Sequence, residues 1–237
     1  MYRAVLFDLD GTLLDLDLNA FLREYFGLLG PVVAKLVGST PEQAVGAVMK
    51  ATDAMVTAHP GKTNAQAFHS AFRELTGTDL STGRAAETLV RFYDGAFPSL
   101  LGDKRPREGG LDALRAAEAM GAKRVIATNP IFPRTAIDER ARWAEVNTAE
   151  VDFITSYENS YACKPQIRYF SDIAKAIGMR CEDCLMVGDD PDLDMGAKAA
   201  GMATFYVGAG EAKGADYSGD MIDVAQFLQD IADPYLR

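Results

Sequence analysis

Asp8 and Asp10 stand one residue apart at the end of an apolar run, Ala4-Val5-Leu6-Phe7, and are followed by Gly11-Thr12. A run with β-branched and aromatic members that meets acids and then Gly-Thr reads as a buried strand ending in a turn. Residues two apart on extended backbone point the same way, so both carboxylates face one pocket if that conformation continues past Phe7. Carboxylates this close repel, and at neutral pH they need a shared proton or a bound cation. Hard oxygen ligands favour Mg2+, which keeps waters and recruits phosphate oxygens, so a phosphorylated small molecule is the natural guest. Read blandly, Asp-Leu-Asp-Gly-Thr is an acidic turn, because Asp and Gly are ordinary turn residues.

Polar residues follow two further apolar runs. Lys123-Arg124-Val125-Ile126-Ala127 ends in Thr128-Asn129-Pro130, and Cys184-Leu185-Met186-Val187 ends in Gly188-Asp189-Asp190. Thr128 suits either an anion contact or a helix cap, and a helix N-terminus is itself an anion site. Asp189, Asp190, Asp192 and Asp194 crowd one short stretch. A helix macrodipole accounts for one or two such acids, whereas four point to a cation. Lys164 precedes Pro165, where a helix is expected to begin. A lone lysine is ordinarily solvated surface, but a site of several carboxylates and a phosphate needs a positive charge beyond the metal.

The elements around these residues fall into two blocks. Residues 15 to about 103 read as helices only: Leu18, Leu22, Tyr25, Phe26 and Leu29 at helical spacing, a second helix from Thr40-Pro41 to about Ala58, a third from Thr63 or Asn64 to Gly77, and a fourth from near Ser81 through Tyr93. From 104 onward short apolar runs alternate with helices, the signature of crossover units on a parallel sheet. The expected fold is α/β, a doubly wound, Rossmann-like core of five parallel strands from residues 1–14 and 104–237, with an all-helical cap inserted as residues 15–103. Such sheets bring their ligands to the carboxyl ends of the strands, where the acids, Thr128 and Asn129 would converge.

Composition narrows the partners. The 237 residues carry a formal net charge of −10 and a pI near 4.7, which argues against nucleic-acid backbone binding. No membrane span is expected, because the most tempting uncharged segment, Tyr25 to Ala34, is short and holds Gly30-Pro31. Asp8 and Asp10 interrupt the only apolar stretch near the start, so no secretory signal is expected. Cys163, Cys181 and Cys184 are too few for a disulfide framework, and the protein is expected in the cytoplasm. Cys181 and Cys184 have the spacing of half a zinc site or a redox pair, but no second pair exists and His59 and His69 lie far away in sequence.

The ordered set Asp8-x-Asp10-x-Thr12, Thr128, Lys164-Pro165 and Gly188-Asp189 with Asp194 resembles the haloacid dehalogenase-like hydrolase superfamily over the whole chain, many members of which carry a helical cap at this place. The resemblance implies that Asp8 attacks phosphorus to form an aspartyl-phosphate, and that Asp10 protonates the leaving oxygen and then deprotonates the attacking water. It implies that Thr128 and the backbone around Leu9 and Asp10 bind the phosphoryl oxygens, with Gly11, Thr12 and Asn129 as further contacts. Lys164 would offset charge between the phosphate and Asp8. Mg2+ would be held by Asp8, by Asp10 through its main-chain carbonyl and by Asp189, with Asp190 and Asp194 both left as candidates. The halogen-removing branch lacks an acid at the position of Asp10, since halide leaves without a proton. Pro130 stands where many members carry a small residue.

The expected activity is therefore a Mg2+-dependent phosphatase for a small phosphorylated metabolite. A phosphomutase of the same superfamily and a non-catalytic regulatory protein that binds a phosphate ligand are the alternatives, and a phosphorelay receiver fits less well because of the cap. The cap offers Asn19, Arg23, His59, Lys62 and Arg91 as substrate contacts, each equally readable as surface. Phe68, Phe72, Phe92 and Tyr93 read as cap core. Oligomeric state is not legible.

Overall fold

The computed structural model describes residues 2–210 and 212–233. In chain order, β1 (Ala4–Phe7) and β2 (Leu14–Asp15) precede four helices, α1 (Leu18–Val37), α2 (Pro41–Val56), α3 (Asn64–Thr76) and α4 (Gly83–Arg91). The chain returns through β3 (Arg105–Pro106), α5 (Gly110–Ala119), β4 (Lys123–Ile126), α6 (Arg134–Trp143), β5 (Phe153–Ile154) and α7 (Ile167–Ala176). It closes with β6 (Cys184–Gly188), a 3-10 turn over Met195–Ala200, β7 (Ala203–Val207), β8 (Tyr217–Gly219) and α8 (Met221–Ala232).

Every residue of β1 is buried, and its alternation sorts the core into two layers. Val5 and Phe7 join a cluster with Ala113, Ile137, Val224 and Leu228 from α5, α6 and α8. Ala4 and Leu6 join another with Tyr169, Phe170 and Ile173 from α7. Successive side chains point to opposite faces, so a strand apolar at every position is covered on both sides, as a doubly wound sheet requires. The strand order is β5-β4-β1-β6-β7-β8, all parallel.

The sheet has six strands, not the five expected from sequence. The extra one, Tyr217–Gly219, is a three-residue edge strand whose residues are exposed or half-buried, so it carries no apolar run to mark it. The expectation that nothing from residue 15 to 103 is extended also fails at its first residue. Leu14 and Asp15 pair antiparallel with Pro106 and Arg105, and the Asp15 carboxylate meets Arg105 at 3.2 Å and Arg107 at 3.3 Å. This ribbon ties together the points where the chain enters and leaves the helical block; two residues are too few to display a period. The fourth helix stops at Arg91 and continues as a π-turn over Phe92–Ala96 and a 3-10 turn over Phe97–Leu101. Gly95 and Pro98, both poor in helix interiors, fall in that stretch.

Caps set the helix starts. Thr40 with Gln43 and Thr63 with Gln66 form capping boxes, each satisfying two backbone donors that a helix N-terminus would leave unpaired. The start of α3 also docks on the α/β core. The Asn64 amide, fully buried, donates to Pro130 O at 2.9 Å, and its backbone N–H donates to Ser160 O at 2.8 Å. Gln166 Nε2 donates to Val56 O at 2.8 Å, so α2 is held to the core as well.

Candidate active site

Past Phe7 the chain turns sharply: the Leu9 carbonyl accepts the N–H groups of Leu13 at 3.0 Å and Leu14 at 2.8 Å. The turn needs Gly11 at φ +92°, and a Cβ there would lie 2.3 Å from Asp189 Oδ2. Glycine therefore lets the loop after β1 approach the end of β6. Thr12 Oγ1 donates to Asp189 Oδ1 at 2.8 Å, so this hydroxyl is directed at an acid rather than at the substrate side expected for it. Leu9 is fully buried and reaches a ligand only through its backbone.

Lys164 lies among the acids although α7 begins only at Ile167, not at Pro165. Its Nζ is 2.6 Å from Asp8 Oδ1 and 2.5 Å from Asp194 Oδ1, and the residue is buried. The Lys164 N–H donates to Asn129 Oδ1 at 3.3 Å, which links it to the end of β4. There the carbonyl of buried Thr128 accepts the hydroxyls of Thr155 at 2.7 Å and Tyr169 at 2.9 Å. These two hydroxyls anchor the loop on which Thr128 and Asn129 stand.

Asp8, Asp189 and Asp194 each offer an oxygen within 4.8 Å of the others. Burial drives the Asp8 carboxyl well above its ordinary range, the Lys164 ammonium offsets part of this, and Asp194, Asp189 and Asp10 add to it. Burial likewise pushes Asp189 up to about 6, with its Thr12 hydrogen bond opposing. Burial works against the charge of Lys164, but Asp194 and Asp8 outweigh it and hold the ammonium above its usual value. Three carboxylates against one ammonium leave two negative charges uncompensated when all are ionised. A hard divalent cation with oxygen ligands fits that donor set and balance.

Of the two acids left open in the 189–194 stretch, Asp194 joins the cluster and Asp190 does not. Asp190 Oδ1 accepts the N–H groups of Asp192 and Leu193, both at 2.9 Å, and so closes a turn. Its own N–H donates to Asp194 Oδ2 at 3.0 Å. A Cβ on Gly188 would fall 2.2 Å from Asp194 Oδ2, so glycine at the end of β6 gives Asp194 its place.

The Asp10 carboxylate also lies outside the cluster, because Arg140 Nη1 donates to its Oδ2. Arg140, from α6, is 1% exposed, and its guanidinium sits 4.5 Å from the Phe132 ring centre and 5.7 Å from that of Phe21. Asp10 Oδ1 and Arg140 Nη2 are buried without a hydrogen-bond partner among the described residues. Sequence reasoning missed Arg140. The signal was present: Ile137, Arg140, Ala141 and Ala144 share one helical face, and the other three are apolar.

None of the residues singled out in the helical block belongs to the acidic cluster. Asn19, Arg23, Lys62 and Arg91 are exposed, and the His59 ring bonds Met55 O at 2.9 Å and Lys62 O at 3.2 Å, holding its own turn. All three cysteines are free. No helix among the described residues is long and apolar enough to cross a membrane.

The family described as haloacid dehalogenase-like hydrolase matches residues 2–201. No curated protein sequence matches the chain. Among solved structures, the chain is similar to a HAD phosphatase from Thermococcus onnurineus, with 18% identity, TM-score 0.60, and 95% of this chain and 97% of that one covered. It is also similar to an L-2-haloacid dehalogenase from Xanthobacter autotrophicus with chloropropionic acid covalently bound, at 16% identity, TM-score 0.57, covering 97% and 99%. A third is a putative beta-phosphoglucomutase from Thermotoga maritima, at 17% identity, TM-score 0.57, covering 97% and 99%. At these identities the likeness is one of fold.

Proposed function

The chain belongs to the haloacid dehalogenase-like hydrolase family, and we propose that within it the protein is a Mg2+-dependent phosphatase acting on a small phosphate ester. The observation that carries this reading is the pairing of Asp8, held by Lys164 beside Asp189 and Asp194, with a second carboxyl two residues on at Asp10. A carboxylate nucleophile alone suffices for a halide leaving group, which departs without a proton. The added acid is what an alkoxide needs.

In this reading an Asp8 oxygen attacks phosphorus, the bond from phosphorus to the ester oxygen breaks, and Asp10 gives that oxygen its proton. Asp10 then takes a proton from the water that attacks the aspartyl-phosphate, which frees Asp8 and releases inorganic phosphate. Arg140 holds Asp10 by Oδ2, which leaves Oδ1 to carry the proton. Thr128, Asn129 and the backbone at Leu9 and Asp10 surround the phosphoryl oxygens, and Lys164 steadies the charge on Asp8 through both steps. Asp8, Asp189, Asp194 and the Asp10 carbonyl are the groups to hold Mg2+. When bound, the ion neutralises charge on the phosphoryl oxygens. The helical block of residues 15–103 serves as a cap that keeps bulk water from the intermediate.

The test is hydrolysis of p-nitrophenyl phosphate at neutral pH with Mg2+, with a chelator, and in Asp8→Asn and Asp10→Asn variants. Activity that requires Mg2+ and vanishes in Asp8→Asn supports the covalent route. A folded, Mg2+-replete protein without activity sinks the phosphatase reading, and fast isomer interconversion with slow hydrolysis replaces it with a mutase.

A further inference from the structure

Helices α1 to α4 and the loop after β4 line a cavity of about 500 Å3 that opens to solvent, within the size range of small-molecule sites. Its walls are mainly apolar, including Leu22, Phe26, Leu29 and Leu89 from the helices and Ile131 and Phe132 from the loop. Among the described residues, no lysine or arginine lines it. The side chains able to hydrogen-bond inside it are mostly neutral. The Tyr25 and Tyr93 hydroxyls share a hydrogen bond of 2.9 Å, burial pushes Tyr25 up to about 12, and burial lowers His69 below its ordinary value despite Asp79 and Glu158. The charged residues that line it are Asp53 and Glu158, both exposed and both negative. A ligand with a second phosphate or a carboxylate would meet no cation here and would be repelled at the rim.

None of the clustered acids lines this space, so it needs a link to the reacting groups. Phe132 supplies it. Its ring lines the cavity and also carries the Arg140 guanidinium, which in turn holds Asp10. Asp10 Oδ1 and Arg140 Nη2 are both buried and without a partner among the described residues, so the pair keeps one acceptor and one donor unspent. An ester oxygen with an apolar group attached matches both ends of this path.

We propose that the cavity holds the apolar body of the substrate, an alkyl or aryl group without a second anionic centre, while its phosphoryl group meets Asp8. This rests on the phosphatase reading and adds to it the substrate class: monoesters of hydrophobic alcohols or phenols rather than sugar phosphates, nucleotides or bisphosphates.

The experiment is a series of alkyl phosphates from ethyl to hexyl, with glucose 6-phosphate for contrast. Burying each methylene raises kcat/KM by about fourfold, and glucose 6-phosphate falls below hexyl phosphate by about a hundredfold or more. Ala86→Phe fills the cavity from a half-buried lining position far in sequence from the acids. It raises KM for hexyl phosphate at least tenfold and leaves ethyl phosphate within about twofold; Thr52→Phe, from α2, replaces it should Ala86→Phe fail to fold. Hexan-1-ol inhibits by raising KM and raises the melting temperature of the wild type but not of the filled variant. Equal kcat/KM along the series in an enzyme active on ethyl phosphate overturns the cavity assignment and leaves the phosphatase intact. Inhibition by hexan-1-ol that lowers kcat with KM unchanged also overturns it. A protein that hydrolyses no ester yet is stabilised by hexan-1-ol only with the cavity open supports the apolar ligand class and overturns the phosphatase reading.

Discussion

Arg140 and Asp10, 130 positions apart in sequence, form an ion pair in which the guanidinium is 1% exposed and the carboxylate 12%. A charge buried to that degree is tolerated only while its partner is present, since removal of one member leaves the other desolvated and unpaired. The pair fastens α6 to the loop after β1. It also fixes which oxygen of Asp10 remains free.

Arg140→Met therefore destabilises the fold by about 3 kcal/mol, read as a shift of the urea midpoint. Asp10→Asn in the same chain recovers part of that loss, because the stranded carboxylate is gone, and the double-mutant cycle gives a non-zero coupling. Arg140→Lys retains charge but not the fork, and restores stability more than turnover. Additive single losses would show that the two residues act independently.

Asp8→Asn abolishes turnover without unfolding the protein. The Lys164 ammonium keeps Asp194 at 2.5 Å, and the substitution removes a carboxyl whose ionised form is disfavoured first by burial and further by Asp194, Asp189 and Asp10. The melting temperature in the absence of metal stays level or rises. A marked fall would show that Asp8 serves the fold more than the chemistry.

Much of this arrangement is legible in the sequence, and the parts that are not share a cause. Asp8 and Asp189 stand out because each follows an apolar run, and parallel strands bring such ends to one edge; Lys164 stands out because it precedes Pro165 and a site of several acids needs a cation. Asp190 and Asp194 could not be separated, because their difference lies in a turn: Asp190 spends its carboxylate on the N–H groups of Asp192 and Leu193, which spacing does not reveal. Tyr217–Gly219 escaped detection because a three-residue edge strand borrows its conformation from β7 rather than from its own pattern. Arg140 escaped because neighbouring Asp138, Glu139 and Arg142 make its helix look like solvated surface. Only its place among Ile137, Ala141 and Ala144 marks it as buried.

Metal dependence should itself depend on pH. Burial holds Asp189 near 6 in the folded chain, above its ordinary 3.8, so without a cation the folded state binds the proton more tightly than the unfolded one. Its contribution to stability is present below about pH 4 and is lost as pH rises through 6. Mg2+ takes the proton's place, and the carboxyl must be ionised to hold it. The rise in melting temperature on adding Mg2+ is accordingly larger at pH 7.5 than at pH 5, and Asp189→Asn removes most of it. An equal rise at both pH values would place the ion elsewhere.

His69 titrates with the opposite sign, at a site far from the clustered acids in sequence. Its ring lies against Phe68 and Tyr157, with centroids 5.4 and 5.9 Å away, and Nδ1 is buried without a partner among the described residues. Burial lowers its pKa below 6.5, while Asp79 and Glu158 work against the shift. Between that lowered value and 6.5 the unfolded chain binds the proton and the folded one does not, so stability is full above about pH 6.5 and declines as pH falls below it. Asp189 contributes the reverse slope, which makes the wild type alone uninformative. The difference between wild type and His69→Gln isolates the histidine, since Asp189 is common to both. With Mg2+ present, the gap in urea midpoint between the two changes between pH 7.5 and pH 5 in favour of the variant. A gap that stays constant across that range would mean that the His69 ring takes up its proton as readily in the fold as in the unfolded chain, and that the cavity is wetter than its lining implies.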